Sequence, residues 1–142
     1  MLFFALTAVR RCAKTVGVFL AVTLLLPVIV VINELTRAPS LVTFSPSGDY
    51  RFEVVPASWM IGASGMLYLK LIDLKEPGHT YRTPLMISES LYMRGYEDKE
   101  VVGVSWIDFN KADRTFTWSL PSWKEHWANS VISNTPYKVI EN

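Results

Sequence analysis

Residues 15–32 read TVGVFLAVTLLLPVIVVI, eighteen residues without a charged side chain. As a helix rising 1.5 Å per residue they would extend roughly 27 Å, about the thickness of a bilayer's hydrocarbon core. Pro27 lies inside the run, and membrane spans tolerate proline better than soluble helices do. A core helix of a soluble protein usually carries polar residues along one face, and this run has no such face. It is therefore read as a membrane span. The expected organisation is a cytoplasmic segment at 1–14, a transmembrane helix at 15–33, a linker at 34–40 and an exported β-rich domain at 41–142.

Charge orients the span. Arg10, Arg11 and Lys14 precede it, while Glu34 and Arg37 follow. Basic flanks stay on the cytoplasmic side, so these three residues are expected to set the topology, with the N-terminus inside and the domain outside. Residues 1–39 hold four basic and one acidic residue, a balance of +3; residues 40–142 hold ten basic and twelve acidic, a balance of −2. A near-neutral domain lacks the basic footprint of a nucleic-acid binder. The alternative to an anchor is a cleaved signal peptide, but the apolar run exceeds a signal's usual core and no A-x-A follows it. Met1–Val9 is apolar, too short to span, and suited to lying along the membrane surface. The single cysteine, Cys12, precedes the span, so the domain has no disulfide and fits a bacterial periplasm.

Beyond the linker the sequence changes period. Leu41–Phe44 is short and apolar, Ser45–Asp49 has turn chemistry, and Tyr50–Val55 alternates with Tyr50, Phe52 and Val54 on one face. Ala57–Gly65 reads as a loop with an apolar tip at Trp59 and Met60. Met66–Leu74 is a strand with Leu67, Leu69 and Leu71 on one face, ended by Pro77-Gly78. Tyr81–Ile87 is a further strand kept at a sheet edge by Pro84. Ser88–Glu100 is irregular and ends in an acidic run. Val101–Ile107 and Thr115–Leu120 are expected to form a hairpin joined by Asp108–Arg114, with Trp106 and Trp118 in the core. Ser122-Trp123-Lys124-Glu125 matches the S-x-x-E capping box, predicting a two-turn helix with Trp123 and Trp127 on one face. Tyr137–Ile140 closes the chain as a strand. The expected class is mainly β (α+β): the transmembrane helix, then a small antiparallel sheet with one short helix.

No motif in the domain announces chemistry. His79 and His126 lack a nucleophile elbow, since Gly62-Ala63-Ser64-Gly65 is not in a strand-to-helix context. There is no H-x-x-x-H, C-x-x-C or D-x-D-x-D-G spacing, so no metal site, cofactor or enzyme activity is expected. Glu97, Asp98 and Glu100 could attract a cation, but Lys99 interrupts them and a solvated loop explains them as well. The aromatics stand out, because all five tryptophans and all six tyrosines lie beyond the span. Some must be core. Trp59, Met60, Trp123 and Trp127, with Glu97, Asp98 and Glu100, are the candidate partner-binding residues, tryptophan being enriched at interface hot spots.

The segments SPSGDYRFEVV at 45–55, YRTPL at 81–85, VGVSWIDF at 102–109 and ISNTPY at 132–137, together with the anchor, resemble a family of small uncharacterised enterobacterial proteins. These pair one N-terminal membrane anchor with a periplasmic β-rich domain. The resemblance implies an inner-membrane, single-pass location and no established activity, and it carries over no functional residues. By analogy of build, the expectation is a non-catalytic, membrane-tethered binding protein, with an immunity protein facing a secreted toxin as the sharper form. The alternative is an accessory or structural subunit of an envelope complex.

Overall fold

The computed structural model describes residues 2–76, 78–87, 91–120 and 123–140, with side chains from Lys14 onward. The chain divides into two compact units, Met1–Leu35 and Thr36–Asn142. The first is a single helix, α1 (Leu2–Leu35), with Pro27 inside it. Its Lys14–Leu35 stretch of 22 residues is long and apolar enough to cross a membrane, a test that a signal sequence near the N-terminus also passes. The apolar Leu2–Val9 backbone continues the same helix and forms no separate surface segment. The side chains of Arg10 and Arg11 lie outside the described residues, as do Pro77 and the expected helix cap Ser122.

The second unit holds two five-stranded sheets. The first contains β1 (Leu41–Phe44), β2 (Tyr50–Pro56), β3 (Met66–Asp73), β4 (Thr80–Arg82) and β5 (Met86–Ile87), in the order β1-β2-β3-β4 with β5 also on β3. The second contains β6 (Gly95–Glu97), β7 (Val101–Val104), β8 (Ile107–Asn110), β9 (Thr115–Trp118) and β10 (Tyr137–Val139), in the order β10-β9-β8-β7-β6. Pairing is antiparallel except between β9 and β10, which run parallel. Both sheets feed one core. Phe52, Val54, Leu67, Leu69, Leu71 and Met86 come from the first, and Val102, Val104, Ile107, Phe109, Phe116 and Trp118 from the second. The alternation of Phe52 and Val54, and of Leu67, Leu69 and Leu71, is that of strands with one face on a core.

Three expected elements are built differently. Val101–Ile107 is two strands: the register Val104↔Ile107 leaves Ser105 and Trp106 as a two-residue hairpin loop, and Ser105 takes φ 53°, the positive φ that primed hairpin turns require. Trp106 is thus a half-buried turn residue packed against the core, not a strand residue within it. The antiparallel partner of Thr115–Trp118 is Ile107–Asn110. Secondly, Tyr81–Ile87 is broken at Pro84 into β4 and β5, both on β3. Thirdly, no helix starts at 123: α2 is the single turn Asn129–Ile132. Trp123 explains this, because its ring packs edge-on against Trp118 and Tyr137, centroids 5.8 and 5.9 Å away. Its indole N–H donates to the Leu85 carbonyl at 3.0 Å. Those contacts fix the residue by the core rather than on a surface helix.

The Pro84 break leaves backbone groups that the ladder cannot satisfy, and side chains supply the partners. The Thr83 hydroxyl accepts from Leu69 N–H at 2.9 Å and donates to the Pro84 carbonyl at 3.0 Å. Leu85 N–H donates to Asn129 Oδ1 at 2.9 Å. On β4, Arg82 N–H donates to Asn134 Oδ1 at 2.7 Å and to Thr135 Oγ1 at 3.2 Å. Asn134 Nδ2 donates to the Thr80 carbonyl at 2.7 Å, and the Ser133 hydroxyl to that of Arg82 at 3.3 Å. The stretch 133–135 therefore occupies the outer edge of the first sheet, where an open edge would invite pairing with another chain.

Across the second sheet, Tyr96, Gly103 and Asp108 are successive cross-strand partners. The Tyr96 hydroxyl donates to the Asp108 carboxylate and, at 3.3 Å, to the Ile107 carbonyl, so the ring lies over Gly103. A Cβ at 103 would come within 2.5 Å of the Ile107 carbonyl oxygen and of Tyr96 Cζ and hydroxyl.

Two stability outcomes follow from this packing. Gly103→Ala should destabilise the domain by about 1–3 kcal/mol in denaturant unfolding. Adding Tyr96→Ala should relieve only the ring's share, since the Ile107 carbonyl remains. Asn134→Ala should cost about 0.5–1.5 kcal/mol, since it removes two bonds to the exposed edge of β4 while Thr135 still accepts from Arg82 N–H, and should speed amide exchange at Arg82 selectively.

Candidate functional site

Placed on this frame, the seven candidate partner-binding residues separate by what their side chains already do. The Glu97 carboxylate, nine-tenths buried, pairs with Lys111 Nζ at 2.8 Å and accepts Ser47 N–H at 3.1 Å. Lys111 also donates to the Asp98 carbonyl at 2.6 Å and lies over the Tyr50 ring, 5.6 Å from its centroid. This network joins β6, the β1–β2 turn and the β8–β9 turn, so Glu97 holds the two sheets together. Asp98 accepts from the N–H groups of Glu100 and Val101, both at 2.7 Å, as a turn residue. Those donors hold its carboxyl below the usual range. Of the acidic run, Glu100 alone has a carboxylate with no structural bond described, and it is exposed. Trp123 belongs to the core and to the repair at Leu85.

Trp59, Met60 and Trp127 remain, and all three are exposed, by 79%, 43% and 67%. They occupy two places. Trp59 and Met60 form the tip of a 3-10 turn, Trp59–Ile61, which is locked at both ends. The Ser58 hydroxyl accepts from Met60 N–H at 3.0 Å, and Gly62 closes the turn at φ 70° with its N–H on the Trp59 carbonyl. Ile61 and Ala63 are buried beneath it. Trp127 borders a different feature, an open groove of about 710 Å³ along residues 125–137.

The groove looks polar by composition, yet most of its polar atoms are committed. Ser130 Oγ donates to the Trp127 carbonyl at 2.9 Å, and Ser133, Asn134 and Thr135 serve the β4 edge. The Tyr137 hydroxyl donates to Glu125 Oε1 at 3.1 Å, and burial followed by that carboxylate raises its pKa. His126 Nδ1 accepts from Ala128 N–H at 3.2 Å, leaving Nε2 as the nitrogen that carries a proton in the neutral ring. Asn129 is 3% exposed, its Oδ1 bound to Leu85 and its Nδ2 without a partner. What the groove offers a ligand is the Trp127 face, the second Glu125 oxygen and the His126 Nε2–H.

His79 pairs with Glu76, which also meets Arg114, in an exposed cluster away from that groove's lining. Among the described residues no group of three or more His, Cys, Asp or Glu is placed to hold a metal ion. The groove is not visible in the expected elements, because its lining joins the start of an expected helix, the unassigned stretch before Pro136 and the expected strand at Tyr137. The signal that would have found it is the ISNTPY run, whose Ser-Asn-Thr cluster before proline marks a loop rich in side-chain-to-backbone bonds.

No family model matches the chain, and no curated protein or solved structure matches it.

The Glu97 network predicts an acid response. Burial alone would raise the Glu97 pKa. The Lys111 ammonium and the hydrogen bonds from Ser47 and Ser45 outweigh it and bring the group from 4.5 to about 2. A carboxyl depressed in the fold stabilises fully above its unfolded pKa and loses that contribution as pH falls through the folded value. Stability should therefore decline between about 4.5 and 2, and Glu97→Gln should flatten that part of the profile while lowering stability at neutral pH. Chemical denaturation across the acid range reads both.

Proposed function

We propose that the chain is a membrane-tethered binding protein without catalytic activity, whose domain receives a segment of a protein partner in the groove beside Trp127. The observation that carries this reading is the exposed Trp127 ring on an open groove whose amides and hydroxyls are mostly spent inside the fold. Such a surface suits an aromatic anchor contact with a protein segment better than the convergent polar constellation that fixes a small substrate. The tether fits the same role. With the helix retained in the bacterial inner membrane and the domain in the periplasm, the domain is concentrated where a partner must pass.

The sharper form, by analogy of build and size, is an immunity protein that occludes a secreted antibacterial toxin. A toxin acting on wall or membrane has to be met outside the cytoplasmic membrane. The test is a competition assay with kin and neighbouring strains. Deleting the gene should sensitise cells, the intact gene should restore resistance, and Trp127→Ala should fail to restore it while accumulating in membranes at normal level. Full resistance of the deletion strain would sink the immunity form. A stable complex with other membrane subunits in mild detergent, insensitive to Trp127→Ala, would replace it with the accessory-subunit reading.

A further inference from the structure

A second apolar surface of the domain, unrelated to the groove lining, is gathered at one end of the first sheet. From Val54 to Leu69 the sequence VVPASWMIGASGMLYL runs sixteen residues without a charged or histidine side chain. It holds the end of β2, the Trp59–Ile61 turn and the first half of β3. The register brings further exposed apolar residues to the same end: Leu41 pairs with Val54, and Ile87 pairs with Met66. Leu41, Trp59, Met60 and Ile87 are 48%, 79%, 43% and 59% exposed. Four large apolar side chains are thus left in solvent at this end of the sheet, Leu41 and Ile87 on the strands that flank the β2–β3 pair. The turn is rigid, held by the Ser58 and Gly62 caps, so the exposure of Trp59 is built in.

The chain's own connectivity says what meets this rim. Arg37 Nε donates to the Pro56 carbonyl at 2.9 Å, at the last residue of β2 and three residues before Trp59. Arg37 is also two residues beyond Leu35, the last residue of α1, and two residues extend at most about 7 Å. When α1 spans a bilayer, covalent reach therefore keeps Arg37 near the membrane–water boundary, and its bond to the Pro56 carbonyl brings the end of β2 with it. That boundary is where tryptophan is enriched, and where arginine places its charge at headgroup level.

We infer that the Trp59–Met60 turn, with Leu41 and Ile87 beside it, inserts into the lipid interface as a second attachment of the domain to the membrane. The attachment rests on the membrane-tether reading and adds to it that the domain is docked on the bilayer by this rim rather than swinging on its linker.

The test uses the full-length protein in phosphatidylcholine–phosphatidylglycerol vesicles, with or without brominated acyl chains. The difference in emission between wild type and Trp59→Phe isolates one indole. An exposed Trp59 makes this substitution harmless to the fold. The expected result is that bromolipid quenches this component and aqueous iodide does not reach it. Quenching by iodide alone overturns the inference, and shielding from both quenchers overturns it in favour of contact with a second copy. Vesicle flotation and intact mass on the same sample separate the underlying reading. A chain that floats uncleaved while Trp59 stays open to iodide removes the docking but keeps the tether. A chain released from vesicles, or cleaved after the apolar run, removes both.

Discussion

A strand broken by proline must find hydrogen-bond partners outside its ladder, and much of this domain is arranged around that need. Pro84 divides β4 from β5, and beyond the bond from Thr83 N–H to the Leu69 carbonyl it interrupts the ladder on β3 through Leu85. Thr83 repairs part of the gap with its own hydroxyl. The rest is supplied from 38 to 53 residues further along the chain. Trp123 and Asn129 take the carbonyl and the N–H of Leu85, and Ser133, Asn134 and Thr135 take the edge of β4. An unpaired buried peptide group costs about 1–3 kcal/mol, so these side chains are structural wherever else they appear to point. The shortness of α2 has the same origin, because residues flanking it are held by β4, Leu85 and the core rather than by helical neighbours.

The other border between the sheets is closed by charge. Glu97 on β6 meets Lys111 and the Ser47 N–H, and the Gly95 position lies against the Phe44 carbonyl, 3.1 Å from where a Cβ would be. The two borders differ in their response to conditions. The neutral amide and hydroxyl bonds at β4 are indifferent to pH, whereas the carboxylate–ammonium border weakens once Glu97 is protonated.

Much of this architecture was legible in the sequence, and the failures have physical causes. The apolar helix, the β1–β2 turn, β2 and β3 follow from charge-free length, from Ser-Pro-Ser-Gly-Asp and from alternation with period two. The turn at Ser105–Trp106 was hidden because Trp106 is not a turn former and the pair lacks the Gly, Asn or Asp that a two-residue hairpin loop favours. Val102, Val104 and Trp106 alternate as a strand would, and only cross-strand pairing forces Ser105 to positive φ. The capping-box motif at 122–125 is a local signal that lost to burial of the Trp123 ring. Glu97 and Asp98 read as solvated charges because the sequence does not show Lys111 and the Ser47 N–H arriving from distant turns. Exposure of Trp59 and Met60 was readable, since a loop bounded by glycine and serine has little with which to cover them. The exposure of Trp127 was not, because it depended on the helix that does not form.

The distribution of committed and uncommitted groups bears on function more than the shape of either surface does. A binding site needs side chains whose removal leaves the fold intact, and the C-terminal third keeps few of these. Asn129, Ser133, Asn134, Thr135 and Trp123 are bound to the backbone of another strand, so substitution there changes stability and binding together. Trp127 and Glu100 are free of such duties, as are Trp59 and Met60 on the opposite sort of surface, a rim of aliphatic neighbours. The protein thus keeps its aromatic exposure on two separate elements, one beside a groove with a carboxylate and an imidazole, the other among aliphatic neighbours. In the proposed arrangement the domain meets lipid and an aqueous partner, and each of the two exposed aromatic elements suits one of them.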